Sequence, residues 1–243
     1  MCIECISASD NGACVHSLYL DLSPSPSQFS PDGKTLAIGS HDDKIYLYDG
    51  HSFTLRAKCE KHNSFITHLD FSADSSYLTS NCGAYEQLFY NAIDGTYINS
   101  ASQLKDTQWA SWTCTLGWPV QGLWASMEDA TEGSDVMACH RSHGGDMVAS
   151  VYANGEVKVH AFPCIKKGAA SEAGQVSQPV RRRDPFLLVL ITIPLPLSLL
   201  QGHCARLTNI RWTLSDECVL STGAEDRCIF QWKVTQHADK SGE

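Results

Sequence analysis

Basic residues are scarce in this chain. Lys and Arg number 18 against 27 Asp and Glu, a formal net charge of −9. Nucleic-acid binding needs a basic stripe or face, and the one dense basic run is Arg181-Arg182-Arg183, so nucleic acid is not an expected partner. No apolar run reaches the ~20 residues of a membrane helix. The longest candidate, residues 186–200, is interrupted by Pro194 and Pro196, and no membrane anchor is expected. There is no phosphate-binding loop of the Gly-x-x-x-x-Gly-Lys type and no Gly-x-Ser-x-Gly nucleophile elbow, so neither an enzyme nor a cofactor is expected. The 11 cysteines lack framework spacing and follow no secretory leader, which reads as free thiols in a reducing cytosol. Cys2-x-x-Cys5 and His140-x-x-His143 have metal-like spacing, but structural zinc takes four ligands and neither pair has a matching second pair. A strand cysteine and a surface histidine are the expectation, with no metal. Helical periodicity over any long stretch is missing too.

What is present is a repeat. Gly202-His203 leads to Leu220-Ser221-Thr222-Gly223-Ala224-Glu225-Asp226 and then to Ile229-Phe230-Gln231-Trp232. An earlier copy reads Phe29-Ser30-Pro31-Asp32-Gly33-Lys34, Leu36-Ala37-Ile38-Gly39-Ser40, Asp42 and Ile45-Tyr46-Leu47-Tyr48-Asp49. Lys44-Ile45-Tyr46-Leu47-Tyr48 alternates with period two, as do Val157, Val159 and Ala161 with Lys158 and His160. In Ile66-Thr67-His68-Leu69-Asp70-Phe71, Ile66, Leu69 and Phe71 form the apolar set around Thr67, His68 and Asp70. These are half-buried strands, and Asp32-Gly33 and Asn154-Gly155 are hairpin turns between them. A Gly-His start, four short strands and a Trp-Asp-like end are the grammar of a WD40 blade. The predicted fold is all-β: a partial WD40 β-propeller of about four blades, or a fragment of a seven-bladed one.

Tyr48, Tyr90, His160 and Trp232 fall at one motif position. The first step matches the family period of ~40–45 residues; the later steps are longer and imply insertions. The third copy is expected to open near Trp112. The expected organisation is three blades with an irregular start over residues 1–164, a disordered or foreign insertion over 165–201, a final blade over 202–234 and a tail over 235–243. Residues 22–28, with Ser-Pro-Ser-Pro-Ser, fall where the first blade should carry an apolar strand.

The third copy carries a more specific resemblance. Trp109-Ala110-Ser111-Trp112-Thr113-Cys114-Thr115-Leu116-Gly117-Trp118-Pro119-Val120-Gln121-Gly122-Leu123-Trp124 resembles the penultimate-blade signature of the echinoderm microtubule-associated protein-like (EML) family. Val157-Lys158-Val159-His160-Ala161-Phe162-Pro163-Cys164 and Gly202-His203-Cys204-Ala205-Arg206-Leu207-Thr208-Asn209-Ile210 are similar to its following elements. The resemblance implies the end of the second of two fused propellers. It implies association with tubulin and microtubules, in the cytoplasm and on the cytoskeleton, with spindle or cilium as sites of action. The alternative is a general WD40 scaffold for other proteins, without tubulin binding.

His203, Thr222, Asp226 and Trp232 are read as a structural hydrogen-bond network of the final blade. They look like a catalytic relay, but the set recurs with the fold and satisfies buried polar groups. Blade one keeps Asp42 and Tyr48 with Ile38 in place of the hydroxyl, and blade two keeps His62 and Ser80 with Ala84 in place of the Asp. Trp109, Trp112, Trp118 and Trp124 are candidate interface residues, because Trp dominates binding hot spots.

Overall fold

The computed structural model describes residues 2–8, 14–20, 24–124, 135–166, 175–176, 203 and 206–235. These residues fold as antiparallel strands joined by tight turns, with two 3-10 turns at Ala101–Leu104 and Trp118–Leu123. The chain divides into two compact units, Met1–Leu116 and Gly117–Glu243.

In the first unit, β1 (Cys2–Ala8) and β2 (Cys14–Leu20) pair as a hairpin. A four-stranded meander follows, with β3 (Pro24–Phe29), β4 (Thr35–Ser40), β5 (Ile45–Asp49) and β6 (Leu55–Cys59) in sequential order. A three-stranded meander completes it: β7 (Ile66–Phe71), β8 (Tyr77–Cys82) and β9 (Gln87–Asn91). In the second unit, β10 (Val136–Arg141), β11 (Met147–Tyr152) and β12 (Val157–Ala161) form one sheet. The other has the order β13-β16-β15-β14, with β13 (Gln175–Val176), β14 (Leu207–Trp212), β15 (Cys218–Gly223) and β16 (Ile229–Thr235). The four sheets of three or four strands are the blades of a partial β-propeller.

Residues 22–28 do not break the first blade. Pro24 pairs with Ser40 and Ser27 with Ile38, with an irregularity between them. The prolines are accommodated because β3 is an edge strand of its sheet, where a missing N–H breaks no ladder bond. The expected insertion lies almost entirely outside the described residues. Within it, Gln175 and Val176 pair with Thr235 and Val234 on β16.

One turn joins the first two long strands in every blade. Ser30, Ser72, Ser142 and Thr213 each accept, through the side-chain oxygen, the backbone N–H of the residue five positions on: Thr35 at 2.9 Å, Tyr77 at 2.9 Å, Met147 at 3.0 Å and Cys218 at 3.2 Å. Three positions after the hydroxyl, the backbone turns left-handed at Gly33 (φ 71°), Ser75 (φ 64°), Gly145 (φ 79°) and Asp216 (φ 54°). Glycine takes that conformation without Cβ strain, and the short polar residues tolerate it. In the first turn the Ser30 hydroxyl and the Lys34 N–H both donate to Asp32 Oδ1, which pulls the Asp32 carboxyl down to about 2.

Each unit has its own core between two blades. In the first, β3 and β4 pack against β7, and Ala37, Ile45, Leu47, Ile66, Leu69, Phe71, Leu78 and Tyr90 form one buried cluster. In the second, β10 and β11 pack against β14, joining Ala149, Val151 and Val159 to Leu207, Ile210, Trp212 and Trp232. Period-two alternation fails at Leu69-Asp70-Phe71 in β7, where all three neighbours are buried. Asp70, read as part of a polar face, is fully buried. Phe71→Ala is expected to destabilise the chain by about 3–5 kcal/mol, read as a lowered urea midpoint, because its ring is wholly enclosed by neighbours from both sheets.

Candidate functional site

The last blade holds a closed chain of buried polar groups. Trp232 Nε1 donates to Ser221 Oγ at 2.7 Å, Ser221 Oγ lies 2.9 Å from His203 Nε2, and His203 Nδ1 lies 2.6 Å from Asp226 Oδ2. Acceptor-only Asp226 requires the proton on Nδ1, which leaves Nε2 to accept the Ser221 hydroxyl. Every link then runs one way: indole to serine, serine to imidazole, imidazole to carboxylate. Asp226 is fastened in turn, since Oδ1 accepts the Cys228 N–H at 3.0 Å. Phe230 stands edge-on to the His203 ring at 4.3 Å. Gly223 makes the pair possible: a Cβ there would run into Asp226 and come within 2.7 Å of His203 Nδ1.

The hydroxyl in this chain is Ser221, and not Thr222. Strand alternation sends neighbouring side chains to opposite faces, and Thr222 faces outward, where its Oγ1 meets Thr208 Oγ1 at 2.8 Å. Spacing carries the signal for the right residue. His203 and Ser221 are 18 positions apart, as are His62 and Ser80 in the second blade. His62 Nε2 lies 2.6 Å from Ser80 Oγ.

The four candidate tryptophans are placed in different surroundings. Trp112 is buried and stands edge-to-face with half-buried Trp109 at 6.0 Å; Trp109 also meets Phe89. Trp124 is half-buried at the end of a 3-10 turn. Trp118 is 63% exposed. Its turn is firmly held: Val120 and Leu123 are buried, Gly122 N donates to Cys164 O at 2.8 Å, and Cys164 N donates to Pro119 O at 2.8 Å.

Residues 109–116, read as the opening of the third blade, lie along the second blade in the first unit. Trp109 bridges Ser72 and Ala110 N donates to Phe71 O. Asp70 is the fastening. Its Oδ1 accepts the Ser111 hydroxyl at 2.6 Å, and its Oδ2 accepts Thr113 N at 2.7 Å, Cys114 N at 2.8 Å and the Thr113 hydroxyl at 3.2 Å. Asn81 Oδ1 accepts Leu116 N at 2.9 Å. The strands of the third sheet begin later, at Val136. Neither Asp70 nor Asn81 stands out in the sequence, where each looks like an ordinary polar strand residue.

The metal-like pairs are placed as follows. Cys2 and Cys5 lie on β1. His140 is not a surface residue: its Nδ1 accepts Trp212 N at 3.1 Å and its carbonyl accepts Trp212 Nε1. Burial, with Arg211 nearby, lowers its pKa to about 3. His143 is bonded to Asp216 at 2.9 Å. Cys59, Cys82, Cys114, Cys139, Cys164, Cys218 and Cys228 carry free thiols.

Repeated blades of three or four antiparallel strands, the last with a His–Ser–Asp–Trp chain, define a β-propeller protein of the WD40 type. A family model described as the echinoderm microtubule-associated protein second β-propeller matches residues 21–180. Echinoderm microtubule-associated protein-like 2 of Homo sapiens is 34% identical over 210 residues, covering 85% of this chain and 28% of that protein. Echinoderm microtubule-associated protein-like 4 of Xenopus tropicalis is 34% identical over 221 residues, covering 88% and 20%. The chain belongs to the echinoderm microtubule-associated protein-like family, and it spans about a fifth to just over a quarter of the length of these relatives. Among solved structures, the Cps50 (Swd1) β-propeller domain of Myceliophteria thermophila aligns with a TM-score of 0.57 at 16% identity, covering 94% of this chain and 70% of that one. The computationally designed Ika8 protein aligns with a TM-score of 0.51 at 17% identity, covering 87% and 58%. At such identities the likeness speaks for the fold alone.

Two outcomes follow from this geometry. Ser221→Ala strands both Trp232 Nε1 and His203 Nε2 in the interior, and is expected to cost about 2–4 kcal/mol, whereas Thr222→Val should cost under about 1 kcal/mol; urea denaturation of the two variants checks the order. Burial also lowers the pKa of His203, against the pull of Asp226. Both histidines are therefore neutral in the fold and take up protons more readily when unfolded. Stability is fully present above the ordinary histidine pKa of ~6.5 and falls as pH drops below it, for His140 down to about 3. His140→Asn keeps an acceptor for Trp212 N without a titrating ring, and should flatten the dependence of the urea midpoint on pH between about 6.5 and 4.

Proposed function

We propose that this chain is a non-enzymatic binding module of the microtubule cytoskeleton, acting in the cytoplasm on tubulin or its polymer. The observation that carries the non-enzymatic part is the saturation of the final blade. The polar atoms of the His203–Ser221–Asp226–Trp232 chain bond to one another, and the His203 side chain is fully buried, with Asp226 only 7% exposed. A relay needs a nucleophile that a substrate can reach. This one stabilises a fold and presents no reacting atom. The microtubule part rests on the family, whose members are named for microtubule association.

The chain's formal charge of −9 limits how such binding can work. A microtubule lattice is acidic, and like charges do not draw the two together. Contacts must be local and shaped. Trp118 is the residue we assign as an anchor, because it combines high exposure with a turn pinned on both sides. A large aromatic presented without loss of side-chain freedom is what interface hot spots use. Trp109, Trp112 and Trp124 serve packing in this reading.

Co-sedimentation with polymerised microtubules tests it. A full-length family member is expected in the pellet, with the 243-residue chain largely in the supernatant. Strong pelleting by the chain alone would place the determinants within these blades. No pelleting by either would favour the scaffold for other proteins. Trp118→Ala in the full-length protein should weaken pelleting by a factor of about 10 or more, in keeping with the 2 kcal/mol scale of aromatic hot spots, while leaving the urea midpoint unchanged.

A further inference from the structure

The second blade repeats the place of the final blade's network with different chemistry. Ile66 pairs with Cys82 as Leu207 pairs with Gly223, so Cys82 occupies the position that must be glycine in the last blade. The acid is also changed. Ala84 stands where an Asp was expected, and Glu86 turns its carboxylate inward from the next strand's edge. The indole is gone as well, since Tyr90 takes the position of Trp232.

These substitutions reverse the hydrogen bonding of the histidine. With no indole N–H on Ser80, its oxygen is open to accept His62 Nε2–H across the 2.6 Å contact. Nδ1 then carries a lone pair. The His62 side chain is fully buried, and Nδ1 has no hydrogen-bond partner. Its nearest carboxylate oxygen, Glu86 Oε2, is 3.8 Å away, against 2.6 Å for the matching pair in the final blade. At 3.8 Å there is no hydrogen bond. That separation instead suits two donors sharing one ion. Cys82 Sγ lies 3.5 Å from the same oxygen, and the three donor atoms all lie within 4.8 Å of one another. Zinc bonded to S at ~2.3 Å, and to N and O at ~2.0–2.2 Å, sets its tetrahedral ligands about 3.3–3.7 Å apart.

We propose that His62 Nδ1, Cys82 Sγ and Glu86 Oε2 form a binding site for one Zn2+ ion in the second blade. The ion bonds a neutral imidazole, a thiolate and a carboxylate, and the Cys82 thiol proton is released to solvent on binding. The supporting contacts are those a ligand set needs. Ser80 fixes the ring through Nε2, and Asn63 Nδ2 donates to Glu86 Oε1 at 2.9 Å; Oε2 accepts the longer contacts of Asn63 N at 3.4 Å and the Cys82 thiol at 3.5 Å, and the thiol contact is the one the ion replaces. Glu86 is 34% exposed, so a water reaches the fourth position.

The test is titration of the whole chain with Co2+ and then Zn2+. One equivalent of Co2+ is expected to give a thiolate-to-cobalt charge-transfer band, and one equivalent of Zn2+ to remove it. Cys82→Ser should abolish the band, while Cys5→Ser, which removes the Cys2-x-x-Cys5 spacing, should leave it unchanged. Glu86→Gln is expected to lower the apparent affinity about 10-fold or more, with the near-ultraviolet circular dichroism unaltered. Absence of the band in the parent chain overturns the proposal, as does a band that survives in Cys82→Ser. Should Cys82→Ser fail to fold, Glu86→Gln decides: unchanged affinity refutes the site, and weakened affinity supports it.

Discussion

A blade is a thin antiparallel sheet with two apolar faces, and neither face is stable in water. That constraint governs everything described above. In each unit two sheets pack through one shared cluster of buried apolar residues. Enclosure removes apolar area from water, at roughly 25 cal/mol per Å2, but it also takes polar side chains out of solvent. A buried polar atom without a partner costs more than the bond itself contributes. The polar residues of these strands are consequently tied into fixed geometries, and the two principal ones, Asp70 and the His203 chain, are products of burial before they are anything else.

The same backbone position therefore supports different outcomes. In the final blade, Gly223 leaves room for Asp226 to close on His203, and the chain of donors and acceptors is complete. In the second blade, a thiol fills that room and a longer acid approaches from outside. The first hairpin keeps its register in both blades, while the turn after it is one residue shorter in the second blade. The chemistry of the pocket between the blade's first loop and its second turn is set by three side chains and by that shorter turn. This is how a repeat protein diversifies: the fold tolerates exchange wherever the new groups can satisfy one another.

Much of the fold was legible in the sequence, because the signals are local. Period-two strands such as residues 45–48 and 157–161, and turns such as Ser30-Pro31-Asp32-Gly33, announce themselves within a few residues. Family membership was legible from the run at residues 109–124. The errors arose where neighbours in space decide. Asp70 alternates like a solvent-facing residue, yet it is buried and bonded by residues 111–114, which lie along its strand from far away in the sequence. The motif of residues 109–116 points forward to the third blade, but their hydrogen bonds run back to Asp70 and Asn81. The motif points to Thr222 as the hydroxyl, one position from Ser221, and the 18-residue His–Ser spacing shared by two blades is the signal that picks out Ser221. The Cys82–Glu86 approach to His62 had no local signature, since Cys82 and Glu86 become neighbours of His62 only through strand pairing.

The Asp70 fastening has a consequence for the order in which the chain assembles. Its donors lie 41 to 44 positions away along the sequence, and a second acceptor, Asn81, sits on a different strand. A loop of that length loses considerable freedom on closing, and it gains nothing until both acceptors are held at the correct separation. That separation exists only once β7 and β8 have zipped together. Docking of residues 109–116 is accordingly a late event, a clasp that shuts on a hairpin already formed.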